Sequence, residues 1–428
     1  MDGFDIVVIG AGPSGCMAAL SASKILTRER RQGICLIEAS DLIGRKIYST
    51  GNGRCNLANL KLSEQSYMVD GSAPDEGFMK FFSLRDAGWL TGWLRSRGFH
   101  THDRDGLVYP VSDQASALAA FFERELAQAG VRVMTGLRVT GISIPDGINN
   151  GGQFVVSTEA GKFSAAKLIM CCGGMAAPGL GGTDDGIKMM ERAGHEIHEP
   201  YPALVPLLCH DPRLKTVKGV RCTAGAVLYD GISGEPVCGD TGEIQLLQDA
   251  LSGIPVFQLS AAAGLLLKQG RRPYIVIDFL PGRDSRFLEE EFELRRRMPD
   301  DLTLGAVLLG LVNDKVLRMI LADEGLQPEM KKRRISDDIL MDILKRMKAV
   351  KFSIAGSAGY DRAQLMAGGV SMKELNEDMS SRIVPGLYAA GELCDVNGLC
   401  GGYNLQWAMI SGAVAGESAA ASLLFDKE

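Results

Sequence analysis

Three glycines, Gly10, Gly12 and Gly15, carry the first chemistry legible in this chain. In the spacing G-x-G-x-x-G the first makes a tight turn and the second lets the backbone reach a pyrophosphate. The third lets a helix pack closely on the preceding strand. Pro13 and Ser14 sit inside the motif, where free N–H groups and the positive end of a helix meet phosphate oxygens. Glu38 stands 23 residues beyond Gly15, followed by Ala39. An acid there accepts hydrogen bonds from adenosine ribose hydroxyls and repels a 2′-phosphate. The motif serves FAD and NAD alike, so by itself it does not separate them.

A second cluster lies at the other end of the chain. Pro385–Glu392 reads as a strand ending in Gly391 and the acid Glu392, followed by Asp395, then Gly401-Gly402-Tyr403-Asn404 and a helix from about Leu405 to Ala421. FAD is long, and its isoalloxazine must be held far from its adenine. A glycine–acid turn late in the chain suits the ribityl and pyrophosphate, and a helix N-terminus suits the pyrimidine edge of the ring. This favours FAD. A third stretch, Gly44-Arg45-Lys46 through Thr50-Gly51-Asn52-Gly53-Arg54-Cys55-Asn56, has almost no apolar periodicity and is placed on a loop. Its cations offset FAD's phosphate charge or that of the reduced ring, and its glycines let amides approach it.

These stretches, GRK…TGNGRCN near the start and GLYAAGELCDVNGLCGGYNLQWA near the end, strongly resemble the bacterial flavoprotein family that includes aminoacetone oxidase and the BaiN-type 3-dehydro-bile-acid reductases. Weaker matches are GLVYPVS at Gly106–Ser112 and the GG…GGTDDG pattern within Cys172–Gly186. The resemblance implies a glutathione-reductase-like, Rossmann-type FAD domain of the α/β class, interrupted by a β-barrel-like domain and a small helical domain. By the same resemblance Arg45, Lys46, Thr50, Gly51, Asn52, Gly53, Arg54, Cys55 and Asn56 line the flavin, and Asp395, Gly402, Asn404 and Leu405 close its other side. Val139, Gly173 and Gly174 are counted with the cofactor-side positions.

The elements that must position these groups follow from pattern. Phe4–Ile9, apolar but for Asp5, is a strand of the kind buried in a parallel sheet, Cys16–Lys24 an alanine-rich helix and Gly33–Ile37 a second strand. Asp113–Ala129 has a helical apolar stripe, with Ser112 as N-cap. Val131–Thr135, Phe154–Thr158 and Leu168–Cys171 complete a sheet, the last capped by Gly173 and Gly174. From about His195 the character changes. Residues 196–280 alternate short strands with Gly and Pro and read as antiparallel β, and the charged residues 284–349 read as helical, including Arg283–Met298 and Ser336–Met347. The resulting division is 1–194 with 352–428 for FAD, 195–283 for a β-rich insertion and 284–351 for a helical subdomain.

For acid–base work Tyr109 and His102 are the candidates, with His100 nearby. His195 and His198 are three apart, but no further ligand stands at recognisable spacing, so no metal site is expected. Cys171-Cys172, Cys394, Cys400 and Cys55 are weighed as redox groups and read mainly as packing thiols. The ten cysteines form no framework, which points to reduced thiols in the cytoplasm. A formal charge of −6 supplies no basic field for a nucleic acid. Neither a leader nor a run of roughly 18 apolar residues is visible. The oligomeric state is not encoded in any motif.

The leading expectation is an FAD enzyme that takes a hydride from NADH or NADPH and passes it to the β-carbon of an enone, with a protein acid protonating the neighbouring carbon. The substrate is a small molecule, with a steroid-like enone suggested by the bile-acid branch of the resemblance. No second G-x-G-x-x-G follows a strand, so the nicotinamide would dock transiently. Two competitors remain: an oxidase of a small amine such as aminoacetone that releases peroxide, and a flavin-bearing sensor docking a partner through residues 284–349.

Overall fold

Residues 2–26, 33–145 and 152–425 are described by a computed structural model. Strand β1 (Asp2–Ile9), helix α1 (Pro13–Ile25) and strand β2 (Ile34–Ile37) follow one another as a βαβ unit, with β1 and β2 parallel. Ile6, Val7, Val8 and all of β2 are buried, as expected of a strand covered on both faces. Arg132–Met134 extends this sheet beyond β2, and the long strand Gly161–Met170 pairs parallel to β1 on its other side. That long strand has two further partners. Its first half runs antiparallel to Phe154–Thr158, and its end, Leu168–Met170, pairs parallel with Leu387–Ala389 from the C-terminal segment.

The C-terminal helix Tyr403–Phe425 lies directly on α1. A Cβ on Gly412 would lie 2.1 Å from the Ser14 carbonyl oxygen, and one on Gly416 would lie 2.0 Å from that of Ala18. The glycines therefore let two helices touch backbone to backbone.

The chain divides into two units, Met1–Tyr201 with Leu365–Glu428, and Pro202–Gln364. The second unit holds a seven-stranded sheet whose neighbouring strands all pair antiparallel. Its strand Arg221–Tyr229 buries Ala224, Ala226 and Leu228 in alternation. The helices Ser285–Arg296, Asp314–Asp323 and Asp337–Arg346 bury Leu288, Ile320 and Ile343 in the same hydrophobic core as that sheet. A 15-residue helix, Ile254–Lys268, stands where the sequence reads as β, and it buries Val256, Leu259, Ser260, Ala263 and Leu266 at helical spacing. Gly253 and Pro255, read as strand punctuation, are its N-cap and first turn. Among the described residues no helix is long and apolar enough to cross a membrane.

Candidate functional site

The turn between β1 and α1 is built by steric exclusion. A Cβ on Gly10 (φ 98°) would sit 2.3 Å from the Cys171 carbonyl oxygen, and one on Gly15 would sit 1.8 Å from that of Gly10. At Gly12 a Cβ would meet nothing within 4 Å, so the second glycine faces open space. Gly12 is the N-cap of α1, with no side-chain cap, Pro13 in the first turn and no acid beside it. The first-turn amides are therefore left for an external anion. Glu38 stands at the end of β2, where its carboxylate accepts from the Ala11 amide at 2.8 Å and from the amide and hydroxyl of Ser40. Val139 is buried at the start of Val139–Ser143, and exposed Ala39 follows Glu38.

Residues 45–53 are not an irregular loop but a 3-10 helix broken at Thr50–Asn52, where Gly51 and Asn52 take left-handed φ values of 55° and 54°. The break recurs at Cys55, with φ 63° and its amide donating to Thr50 O. Gly53 faces open space, and Arg45 is exposed with no ion pair to a described residue.

This loop is stitched to the C-terminal turn. With the Asn56 amide nitrogen facing the Ala58 and Val108 carbonyls, its oxygen accepts from Gly402 N. Asn59 donates from its side chain to Gly401 O and from its backbone amide to Gln406 Oε1, while Tyr403 Oη donates to Lys61 O. Asn404 closes the turn on itself through Gly398 N and O, leaving Leu405 half-buried in the first helical turn.

Gly391 abuts the glycine motif: a Cβ there would lie 2.7 Å from Ser14 Oγ. The next residue, Glu392, pairs with Lys46 at 2.8 Å and accepts from Met366 N at 2.9 Å. Gly173 faces open space, whereas Gly174 packs on the Met366 side chain. The three glycine-rich stretches of sequence thus converge around the end of β1.

A dinucleotide fits these residues. Open space at Gly12, Gly53 and Gly173, uncapped first-turn amides and an anchored carboxylate are what a diphosphate and a ribose require. Buried thiols contribute no nucleophile: burial pushes the Cys55 and Cys171 thiols up to about 12, and Cys172 and Cys394 higher still.

His102 and Tyr109 face each other across a two-stranded ladder, with ring centroids 6.0 Å apart. His102 Nε2 lies 3.0 Å from Asp113 Oδ1, and Arg104 pairs with the other oxygen of Asp113. Asp113 was expected inside a helix capped by Ser112. The helix starts instead at Ala115, with Gln114 as an N-cap lacking a side-chain bond, because Asp113 turns to φ 50° and gives its carboxylate to His102 and Arg104. Burial raises the Tyr109 pKa, opposed by the Arg104 and Arg54 guanidiniums. Tyr109 also borders the 3-10 loop, 3.7 Å from where a Cβ on Gly51 would stand. His100 is exposed and contacts Val111 only through backbone.

Asp395 is buried with both oxygens engaged. One accepts from Gly368 N and Asn397, and the other lies 2.8 Å from His198 Nδ1. Asp70 reaches the same imidazole nitrogen at 3.6 Å. His195, by contrast, is buried between Ser381 and Glu374.

A family model described as HI0933-like protein Rossmann domain matches residues 4–418. The chain is 32% identical over 416 residues to the 3-dehydro-bile acid delta(4,6)-reductase of Clostridium scindens, covering 97% of this chain and 98% of that protein. It is 26% identical over 414 residues to the ribosomal RNA dihydrouridine synthase of Escherichia coli, covering 96% of each. Among solved structures it is similar to the 3-ketosteroid-delta4-(5alpha)-dehydrogenase of Rhodococcus jostii RHA1, with TM-score 0.49, 15% identity and 98% and 97% of the two chains covered.

Proposed function

The chain belongs to the HI0933-like Rossmann family and is an FAD-dependent oxidoreductase, and from that premise we propose that it reduces a carbon–carbon double bond conjugated to a carbonyl in a small organic substrate, with NADH or NADPH as reductant. The observation that carries this reading is the end-to-end 32% identity to a protein named as a bile-acid double-bond reductase. FAD, when bound, supplies hydride transfer. The residues do the rest. The Gly10–Gly15 turn holds the diphosphate, Glu38 the adenosine ribose, and residues 45–56 with Gly391, Glu392 and 402–405 the remainder of the cofactor.

Reduction of an enone also needs a proton at the carbon beside the carbonyl. Tyr109 or His102 supplies it. Asp113 fixes the imidazole, accepting from Nε2–H, and Arg104 holds Asp113 in place. The ten free cysteines support a reducing, cytoplasmic compartment.

Anaerobic titration of the yellow protein with NADH and with NADPH tests the reading. Bleaching of the visible flavin band by either nucleotide, followed by recolouring on adding a 3-oxo-Δ4 steroid, is expected. If neither nucleotide bleaches it while aminoacetone does, with peroxide formed in air, the reductase reading is replaced by the oxidase. A uridine in RNA is the second reading, favoured by the dihydrouridine synthase relatives. The formal charge of −6 weighs against it, and recolouring by ribosomal RNA instead of the steroid would establish it.

A further inference from the structure

Two carboxylates and an imidazole, distant in sequence, meet at one point: Asp395, which the resemblance places beside the flavin, turns its carboxylate to His198, Gly368 N and Asn397. Asp395 follows the turn at Gly391–Leu393, His198 lies on the strand Ile197–Ala203, and Asp70 follows the short strand Tyr67–Val69. One ligand atom from each lies within 4.8 Å of the others. We propose that Asp70, His198 and Asp395 bind one divalent transition-metal ion, of the Zn2+ or Mn2+ type, as a structural site separate from the flavin.

Charge makes the first argument. The Asp395 and Asp70 side chains are only 4% and 9% exposed, and among the described residues no lysine or arginine pairs with either. Of the described residues, His198 is the one basic side chain that meets both, at 3.6 Å from Asp70 and 2.8 Å from Asp395, so two buried carboxylates share a single imidazole. A dication offsets both carboxylates, where an imidazolium would carry only one charge.

Preorganisation makes the second. Each carboxylate is held from behind: Asp395 by Gly368 N and Asn397, Asp70 by Met372 N and the Ser371 hydroxyl. Ligating carboxylates are characteristically fixed in this way. The spacing of 3.6 Å from His198 Nδ1 to Asp70 is close to the ~3.3 Å between tetrahedral zinc ligands, and the 2.8 Å hydrogen bond to Asp395 needs to open by about half an ångström.

Access makes the third. His198 is 30% exposed, which leaves a path for the ion and room for a water ligand.

The test uses flavin-loaded protein stripped with EDTA. Titration with Zn2+ and with Mn2+ by calorimetry is expected to show one saturable equivalent and a raised thermal midpoint. Asp70→Asn and His198→Gln are each expected to weaken binding at least tenfold while leaving flavin content unchanged. Should either variant fold poorly, Co2+ added to the unaltered protein decides: a nitrogen–oxygen ligand field without a thiolate charge-transfer band supports the site. No saturable equivalent, binding unaltered in both variants, or a thiolate band from the cysteines overturns it.

Discussion

Gly12 and Gly15 look equivalent in the motif and do different work. Gly12 has an ordinary φ of −72° and empty space where a Cβ would go. Alanine there is compatible with the fold and obstructs only a ligand approaching the turn. Gly15 has the Gly10 carbonyl oxygen 1.8 Å from its Cβ position, so alanine there must part α1 from β1. Gly12→Ala is therefore expected to yield folded protein with little bound flavin, whereas Gly15→Ala is expected to lower the thermal midpoint even of the flavin-free protein. Visible absorbance per protein and a melt of the apoprotein separate the two, and equal apoprotein melts would refute the distinction. Glu38 is a mixed case. Sequence alone makes it a ribose acceptor whose loss spares the fold. Yet its carboxylate also satisfies the Ala11 amide, so Glu38→Ala orphans a donor at a cost of about 1–3 kcal/mol, and Glu38→Gln is the cleaner probe.

Between elements, the tightest constraint is the contact of α1 with the C-terminal helix. Gly412 and Gly416, one turn apart, place their backbone against Ser14 and Ala18. A larger side chain meets a carbonyl oxygen, not a flexible side-chain end, so the helices must separate. Gly416→Val is expected to cost about 3 kcal/mol, or roughly 6–12 °C in the thermal midpoint. Since α1 carries the diphosphate turn, flavin affinity should fall with it. A melt unchanged within two degrees or so would mean that the contact is slack.

The strands and helices of the βαβ unit were legible because each obeys one local rule: an apolar run, a glycine turn, an alanine-rich helix. The helix Ile254–Lys268 was not, because glycine and proline at its start look like strand breaks until the burial of one face is known. The cofactor-side stretches 45–56 and 391–405 were legible as composition. What sequence could not give was pairing at a distance: Asp113 leaving its helix for His102, or Asp70 and Asp395 meeting on His198. No periodicity links residues that only the folded chain brings together.

At the scale of the whole molecule, the chain leaves its nucleotide-binding unit after Tyr201 and returns at Leu365. Pro202–Gln364 carries its own sheet and a hydrophobic core shared by that sheet and its helices. With 163 residues it is large enough to fold by itself. Each unit therefore has the means to melt as a separate cooperative transition. The candidate cofactor residues, from Gly10 to Leu405, all lie in the other unit, and a ligand stabilises only the transition of the unit that it binds. Calorimetry of the flavin-free protein is thus expected to resolve two transitions. Added FAD should raise one of them by about 3 kcal/mol at a hundredfold excess over its dissociation constant. The transition that stays in place should coincide with the melt of residues 202–364 expressed alone. If both transitions instead rise together, flavin binding is coupled to the folding of the insertion. The insertion would then be part of the cofactor site's own stability and not an independent body carried by it.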